Sequence, residues 1–122
     1  MDVCFLTASN AEESYQKLSE TYSAIESPTW SLLLAQSCRS IGFKVSIIDA
    51  NAENLSKEKV LKRINELNPR ILCLVVYGQN VNAGTANMKG ATDITNFLKE
   101  NKISCPAAFI GSHVQALPIE TL

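Results

Sequence analysis

The sequence has 122 residues, of which 46% are hydrophobic and 19% are charged, so it predicts one compact domain and excludes a disordered chain. Eleven basic and twelve acidic residues give a formal charge of -1. This balance argues against a nucleic acid or an anionic membrane surface as a partner.

The chain begins with a strand and two helices. The apolar run Val3–Thr7 predicts a strand that is buried on both faces. Residues 11–22 follow a Ser-x-x-Glu capping pattern and predict a short helix. A second helix has Pro28 in its first turn and ends at Gly42. Apolar residues at helical spacing predict the inner side of this second helix: Trp30, Leu33, Leu34, Cys38 and Ile41.

The middle of the chain predicts a strand, a helix and the central strand of a sheet. Residues 44–49 are apolar and β-branched, as expected of a strand. Ser56 caps an amphipathic helix that ends at Asn68. The apolar side of this helix consists of Val60, Leu61, Ile64 and Leu67. Residues 71–77 are apolar without alternation, which is typical of a strand covered on both faces in a parallel sheet.

The last third predicts a loop over 78–87, a helix, a strand over 107–111 and a loop over 111–117. The inner side of the helix is predicted to consist of Met88, Ala91, Ile94, Phe97 and Leu98. Pro118 then fits the first turn of another helix.

Strands and helices therefore alternate, and no hairpin signal separates the strands. This order predicts a doubly wound α/β domain with a flavodoxin-like (Rossmann-like) parallel sheet. We expect the domain to be truncated after the fourth strand and to be the front part of a longer protein, with the fourth strand as an exposed edge. A ligand is expected at the carboxyl ends of the first and third strands, where the strand order reverses.

Four cysteines and one histidine offer no usual zinc set. The cysteines lie far apart without a C-x-x-C pair, and we interpret them as buried free thiols. No segment resembles a signal peptide, and no apolar run is long enough to cross a bilayer. We therefore expect a cytoplasmic protein with no membrane partner.

Residues near the predicted strand ends allow two interpretations each. The loop over 78–87 offers amides, a hydroxyl and two glycines, which suit a large polar ligand but are also typical of ordinary turns. Asp49 is placed like a ribose-binding acid, yet no glycine-rich phosphate motif accompanies it, which favours a loop cap. Trp30 and Tyr77 belong either to the core or to a surface that stacks on a flat cofactor.

Three separated blocks carry a family resemblance. The first runs over 22–50, the second over 76–88 and the third over 111–122; within the second, Val76-Tyr77-Gly78-Gln79-Asn80 precedes Ala83-Gly84-Thr85. Together the blocks resemble the N-terminal cobalamin-binding domain of B12-dependent radical S-adenosylmethionine (SAM) enzymes. The resemblance covers nearly the whole chain.

In that family the domain is flavodoxin-like and holds cobalamin across the carboxyl edge of the sheet. The resemblance implies that the residues near the lower side of the cofactor are Glu26, Ser27, Pro28 and Thr29. It places along one edge of the corrin Tyr77, Gly78, Gln79, Asn80, Ala83, Gly84 and Thr85. It places beside the nucleotide tail Gly111, Ser112 and His113.

Two cofactor motifs are absent. No D-x-H-x-x-G segment occurs, which is the pattern by which B12 domains of the methionine-synthase and mutase type supply a histidine ligand to cobalt. We therefore expect no histidine on cobalt, no metal ligand and no catalytic residue from this chain. No C-x-x-x-C-x-x-C motif occurs either, so SAM and a [4Fe-4S] cluster would belong to a radical SAM domain of the same parent chain. The implied function is the cobalamin-binding module of a methyltransferase-type enzyme.

Two other classes stay open. The first is a flavodoxin-like or receiver-like interaction or regulatory domain without a cofactor. A receiver would carry an acidic cluster after the first strand and an Asp after the third, where Thr7-Ala8-Ser9 and Tyr77-Gly78-Gln79 stand. The second is a stand-alone enzyme, for which no nucleophile with a base and no pair of carboxylates can be placed on one edge.

Overall fold

The computed structural model describes residues 1–8, 27–77 and 81–121, with the backbone alone at 81–86, 113 and 120–121. The short helix expected over 11–22 lies outside the described residues. The described strands are β1 (Val3–Thr7), β2 (Val45–Asp49), β3 (Ile71–Val75) and β4 (Ala107–Ile110). The described helices are α1 (Thr29–Ser40), α2 (Lys57–Leu67), α3 (Val81–Glu100), α4 (Ser112–Ala116) and α5 (Pro118–Thr121).

The four strands form a parallel sheet in the order β2-β1-β3-β4. Val3 is in register with both Val45 and Ile71, while Leu72 is in register with Ala107. Strand order and parallel pairing confirm the predicted doubly wound α/β, flavodoxin-like sheet. Among the described strands β4 pairs with β3 alone, as expected for an edge.

The two faces of the sheet carry separate apolar clusters, because successive side chains of a strand point to opposite faces. The larger cluster joins one face to α2 and α3 and includes Leu6, Leu74 and Leu98. The smaller cluster joins the other face to α1 and includes Phe5 and Ala35. β1 and β3 are therefore covered on both faces, as their unbroken apolar runs predicted.

α2 forms where its sequence signals predicted it. The Ser56 Oγ accepts a hydrogen bond from the backbone N–H of Lys59 at 3.3 Å, which satisfies one free donor of the first turn. Asn68 ends the helix in the left-handed region at φ 45°. Val60 and Ile64 are buried against the sheet.

α3 places its predicted apolar side in the core. Four of the predicted residues are buried: Met88, Ala91, Ile94 and Leu98. Phe97 packs against the same cluster. The buried Thr95 hydroxyl donates to the carbonyl oxygen of Ala91 at 2.7 Å, so this buried polar group has a hydrogen-bond partner.

α1 ends as predicted but begins one residue later. Pro28 precedes the first helical residue rather than lying within the first turn. At the other end, Gly42 adopts φ +96°, and its N–H donates to the Arg39 carbonyl at 3.0 Å. The Phe43 N–H donates to the Cys38 carbonyl at 3.1 Å. The two hydrogen bonds end the helix with Gly42 in the left-handed region.

The predicted inner side of α1 is wrong in part. Ser31 and Ala35 are the buried residues, whereas Trp30, Leu33 and Ile41 are exposed. The small side chains at 31 and 35 let the helix lie close to β1 and β2. Two residues of the predicted set, Leu34 and Cys38, pack against the smaller cluster.

The loop predicted over 111–117 is also corrected. Residues Ser112–Ala116 form α4, and the Gln115 N–H donates to the Gly111 carbonyl at 3.2 Å. This stretch contains no proline before Pro118, so one helical turn can close. α5 then begins at Pro118, as predicted.

In the part of the chain that the structure describes, no helix has the length and apolar character needed to cross a membrane.

Candidate functional site

The carboxyl ends of the strands meet at one edge of the sheet because the strands are parallel. β1 lies between β2 and β3, and α1 packs on the opposite face from α2. The predicted reversal of strand order between the first and third strands is therefore confirmed. Ligands of open α/β sheets bind outside the strand ends at such a point.

An aromatic pair joins the start of α1 to the residues after β3. The rings of Trp30 and Tyr77 are stacked, with centroids 4.7 Å apart and an interplanar angle of 23°. Trp30 is nevertheless 50% exposed, and Tyr77 is half-buried. The two rings contact each other and leave an aromatic surface at the carboxyl edge.

A pair of hydroxyls ties β1 to the same turn of α1. The Oγ1 of Thr7 and the Oγ of Ser31 are 3.2 Å apart, and either can donate. Ser31 is 1% exposed, so this contact satisfies a buried polar group. Sequence reasoning missed both residues. The sequence signal for this contact was a hydroxyl at the end of the first strand, Thr7, and a second hydroxyl within an apolar stretch of the helix, Ser31.

The predicted residues before α1 lie at this edge. The Thr29 backbone N–H donates to the Ser27 carbonyl at 2.8 Å, and the Thr29 hydroxyl donates to the same oxygen at 3.4 Å. The Pro28 carbonyl accepts the first backbone hydrogen bond of the helix at 2.9 Å. Ser27 and Thr29 are exposed. Glu26 lies outside the described residues.

The connection after β3 is shorter than the predicted loop over 78–87. α3 begins at Val81, so most of that stretch is helical. Ala83 and Ala86 favour a helix, and each residue added to an existing helix gains a backbone hydrogen bond. The N-terminus of α3 consequently lies at the carboxyl edge, and the backbone N–H groups of its first turn, which have no acceptor within the helix, can donate to a ligand there.

Asn87 ties α3 back to the strand. Its Nδ2 donates to the Tyr77 carbonyl oxygen at 2.8 Å, which fixes the span of the connection. Three predicted residues of this connection lie outside the described residues: Gly78, Gln79 and Asn80. Three others lie in the first turns of α3, where the backbone alone is described: Ala83, Gly84 and Thr85.

Gly111 follows β4 and touches β3. The Val76 N–H donates to the Ile110 carbonyl at 2.7 Å, which brings the two backbones together. A Cβ on Gly111 would collide with the carbonyl oxygen of Val76. The fold therefore requires glycine at this position whether or not a cofactor lies beside it.

The remaining predicted residues follow β4 at the same edge. Ser112 is exposed at the start of α4, and the backbone of His113 lies in the same turn. β4 is next to β3 but not to β1. Trp30, which directly follows the predicted residues Ser27, Pro28 and Thr29, contacts Tyr77, whereas Ser112 follows β4 on the side of β3 away from β1.

Asp49 is a loop cap, as the sequence favoured. Its Oδ1 accepts a hydrogen bond from the Ala52 N–H, three residues on, at 3.0 Å, which is the geometry of a capping side chain. The Glu53 N–H donates to the Asp49 carbonyl at 3.1 Å. The Asp49 residue is 8% exposed, so little of its carboxylate faces a ligand.

Charge near this edge is neutralised within the protein. Glu53, which follows β2, and Arg63 on α2 form an ion pair with an N–O distance of 2.6 Å. The hydrogen bond from the Arg63 guanidinium lowers the pKa of the Glu53 carboxyl. The other carboxylate at the described strand ends is that of Asp49, which is largely buried and bonded to its own loop, so the exposed surface there suits a polar ligand of low charge.

The cysteines are free thiols, as predicted. Cys4 and Cys73 are buried, and Cys38 and Cys105 are half-buried. Burial raises the pKa of the Cys4 thiol to about 12 and also raises the pKa of Cys73 and Cys105. A protonated thiol is a poor nucleophile and metal ligand. The described residues contain no group of three His, Cys, Asp or Glu side chains able to hold a metal ion.

Comparison of the chain with protein-family models, curated proteins and solved structures found no match. The family resemblance rests on the three sequence blocks, whereas the α/β fold rests on the strand order and pairing.

Proposed function

We propose that this chain is a cobalamin-binding module that holds the corrinoid at the carboxyl edge of its sheet. The observation that carries the proposal is the half-exposed Trp30–Tyr77 pair beside the β1–β3 reversal. A corrin is a broad flat ring with amide groups on its rim. It therefore needs an apolar surface and uncharged hydrogen-bonding groups rather than ion pairs.

The polar groups near the pair suit such a rim. Ser27 and Thr29 expose their hydroxyls, and the N-terminus of α3 offers backbone donors to amide oxygens or to the phosphate of the nucleotide tail. We propose the same residues that the resemblance implied as cofactor contacts, with Ser112 and His113 toward the tail. When bound, cobalamin would supply a cobalt centre that carries a methyl group.

The chain's own part is binding rather than chemistry. Its residues would orient the ring and cover one face, and no side chain of the chain is proposed to act as a catalyst. SAM and a [4Fe-4S] cluster would be held by a radical SAM domain of the same parent chain, which is the proposed protein partner. The parent would be a methyltransferase-type enzyme.

Titration with hydroxocobalamin tests the proposal. We expect saturable binding at micromolar concentration, seen as a change in the visible absorbance of the corrinoid and as quenching of Trp30, the sole tryptophan in the sequence. The absence of binding would refute the proposal and favour a cofactor-free interaction domain. Binding of flavin mononucleotide in place of the corrinoid would also refute it.

A bulky side chain at Gly84 should weaken binding. Gly84→Phe places a ring in the first turns of α3, where the resemblance puts the corrin edge, so we expect about a tenfold higher Kd, or ~1.4 kcal/mol. Asn96→Phe is the matched control, because Asn96 is exposed three turns further along the same helix. Equal affinities in the two variants would count against this placement of the ring.

The cobalt ligand can be tested separately. In the reduced Co(II) form, a coordinating histidine nitrogen splits the electron paramagnetic resonance lines. Protein labelled with ¹⁵N-histidine should give the same spectrum as unlabelled protein if no imidazole binds cobalt. A changed splitting would show that His113 is a ligand, since the sequence has one histidine.

A further inference from the structure

The side of α1 that faces the sheet includes a row of residues directed toward β3. The row begins at Trp30, whose ring stacks on that of Tyr77. Residues four apart lie next to each other on a helix, so the row continues through Leu34 to Cys38. Both of these residues pack against the apolar cluster that contains Val75 of β3. The row therefore follows β3 along this face of the sheet.

The row and the strand advance by nearly equal steps in opposite directions. α1 starts at the carboxyl edge and ends shortly before β2 begins, so it runs antiparallel to β3. Four helical residues rise about 6 Å, and two strand residues rise about 6.6 Å. Alternate residues of a strand share a face, so Tyr77, Val75 and Cys73 lie on the side that α1 covers. Two steps from the Trp30–Tyr77 contact place Cys38 at the level of Cys73.

The packing of α1 brings these two thiols toward each other. Cys73 is a buried member of the smaller apolar cluster, and Cys38 packs against the same cluster. The neighbouring row of α1 has small buried side chains, Ser31 and Ala35, so the helix lies close to the sheet. Close approach matters because a disulfide requires Cα atoms within about 7 Å of each other.

Cys4 and Cys105 are not a second pair of this kind. Both pack in the larger cluster, on the opposite face of the sheet. β3 lies between them, since β1 pairs with β3 and the Leu72 N–H donates to the Pro106 carbonyl at 2.9 Å. Two strand spacings amount to about 10 Å, which is too far for a disulfide.

We propose that Cys38 and Cys73 are a site of oxidative modification, at which a peroxide converts the two thiols into a disulfide that joins α1 to β3. Cys38 is half-buried and is the thiol that a dissolved oxidant reaches first. Cys73 is 7% exposed, and burial raises the pKa of its thiol, so it reacts second. The site needs no bound corrinoid, so its failure would leave the proposed function untouched.

The oxidation proceeds in two steps. The Cys38 thiolate attacks one oxygen of hydrogen peroxide, the O–O bond breaks, and the sulfur becomes a sulfenic acid. The hydroxide that leaves takes up the proton released by the Cys38 thiol and forms water. The Cys73 sulfur then attacks the Cys38 sulfur, the S–S bond forms, and the S–O bond breaks to release a second water with the Cys73 proton. The two thiols lose two electrons and two protons, which reduce the peroxide to two waters.

Peptide mapping of the folded protein after treatment with hydrogen peroxide tests the proposal. We expect one dominant disulfide, between the peptides that contain Cys38 and Cys73, with Cys4 and Cys105 recovered as free thiols. Dithiothreitol should reverse the modification. The same treatment in urea should give a mixture of pairings, because the unfolded chain does not hold any two thiols together.

Single substitutions separate the roles of the two thiols. Cys73→Ala should stop the reaction at the Cys38 sulfenic acid, which dimedone traps as a stable adduct, whereas Cys38→Ala should leave Cys73 reduced. Cys105→Ala is the matched control, because Cys105 is also half-buried, and it should form the bridge at the rate of the unaltered protein. If Cys73→Ala does not fold, the map of the unaltered protein still decides.

Four results would overturn the proposal. They are free thiols throughout, a bridge to Cys105, a disulfide between two chains through Cys38, and the same mixture of pairings in the folded and the unfolded protein. Electrophoresis without reductant distinguishes a bridge within one chain from a bridge between two.

Discussion

Gly111 has no room for a side chain, because a Cβ there would collide with the carbonyl oxygen of Val76. Replacing it with alanine would press a methyl group against the Val76 carbonyl oxygen, which forces β3 and β4 apart. We expect Gly111→Ala to lower the free energy of unfolding by about 1–3 kcal/mol. Urea denaturation measures the change, with Gln115→Ala as a control at an exposed site in α4. Equal stabilities would mean that the strand ends can relax at no cost.

The buried thiol of Cys4 makes stability depend on alkaline pH. Its pKa is raised from 9.0 to about 12 in the folded protein, so the unfolded chain loses this proton first. The contribution of the protonated Cys4 thiol to the free energy of unfolding is present below pH 9. It is lost as the pH rises toward 12, at no more than ~1.4 kcal/mol per pH unit. Unfolding midpoints measured from pH 8 to pH 10.5 should fall, and the fall should be shallower in Cys4→Ala. Identical slopes would contradict the assignment.

At the scale of single helices, the hydrogen bond of the Ser56 side chain tests how much an N-terminal cap stabilises α2. Ser56→Ala removes the acceptor for the Lys59 N–H and should cost about 1 kcal/mol, whereas Ser56→Asp should restore most of it. Thermal unfolding measures both changes. Ser37→Ala, an exposed site inside α1, is the control and should not lower the melting temperature. A harmless Ser56→Ala would show that α2 is held by packing alone.

The same scale shows which features the sequence could predict. α2 has a cap, a stop and a wide apolar side that agree with one another, so its bounds and buried face were predictable. α1 has apolar residues on both its inner and outer sides, so helical spacing could not identify the inner one. Close packing instead selected Ser31 and Ala35.

The carboxyl edge was predictable for a different reason. An alternating order of strands and helices permits few topologies, and strand order then determines where connections diverge. The contacts at that edge were less predictable, because Trp30 with Tyr77 and Thr7 with Ser31 are distant in sequence. Helical structure in the first turns of α3 was not predictable, because Asn82 and Gly84 are poor helix formers.

For the whole molecule, the strand order predicts a pattern of local opening. β1 and β3 each pair on both sides, whereas β2 and β4 each pair on one side among the described strands. Amide hydrogen exchange should therefore be roughly tenfold or more slower in β1 and β3 than in β4. Mass spectrometry of peptic fragments measures this difference. Fast exchange in β3 would contradict its central position.

At the amino ends of the strands, the first two residues form hydrogen bonds to the residues that precede β2 and β3. The Asp2 carboxylate accepts from the Lys44 N–H at 2.8 Å, the Asp2 N–H donates to the Lys44 carbonyl at 3.0 Å, and the Arg70 N–H donates to the Met1 carbonyl at 3.1 Å. A tether or dye joined to Met1 would leave the molecule from this side. A sensor chip loaded through that tether would present the strand ends near Trp30 and Tyr77 to the flowing solution.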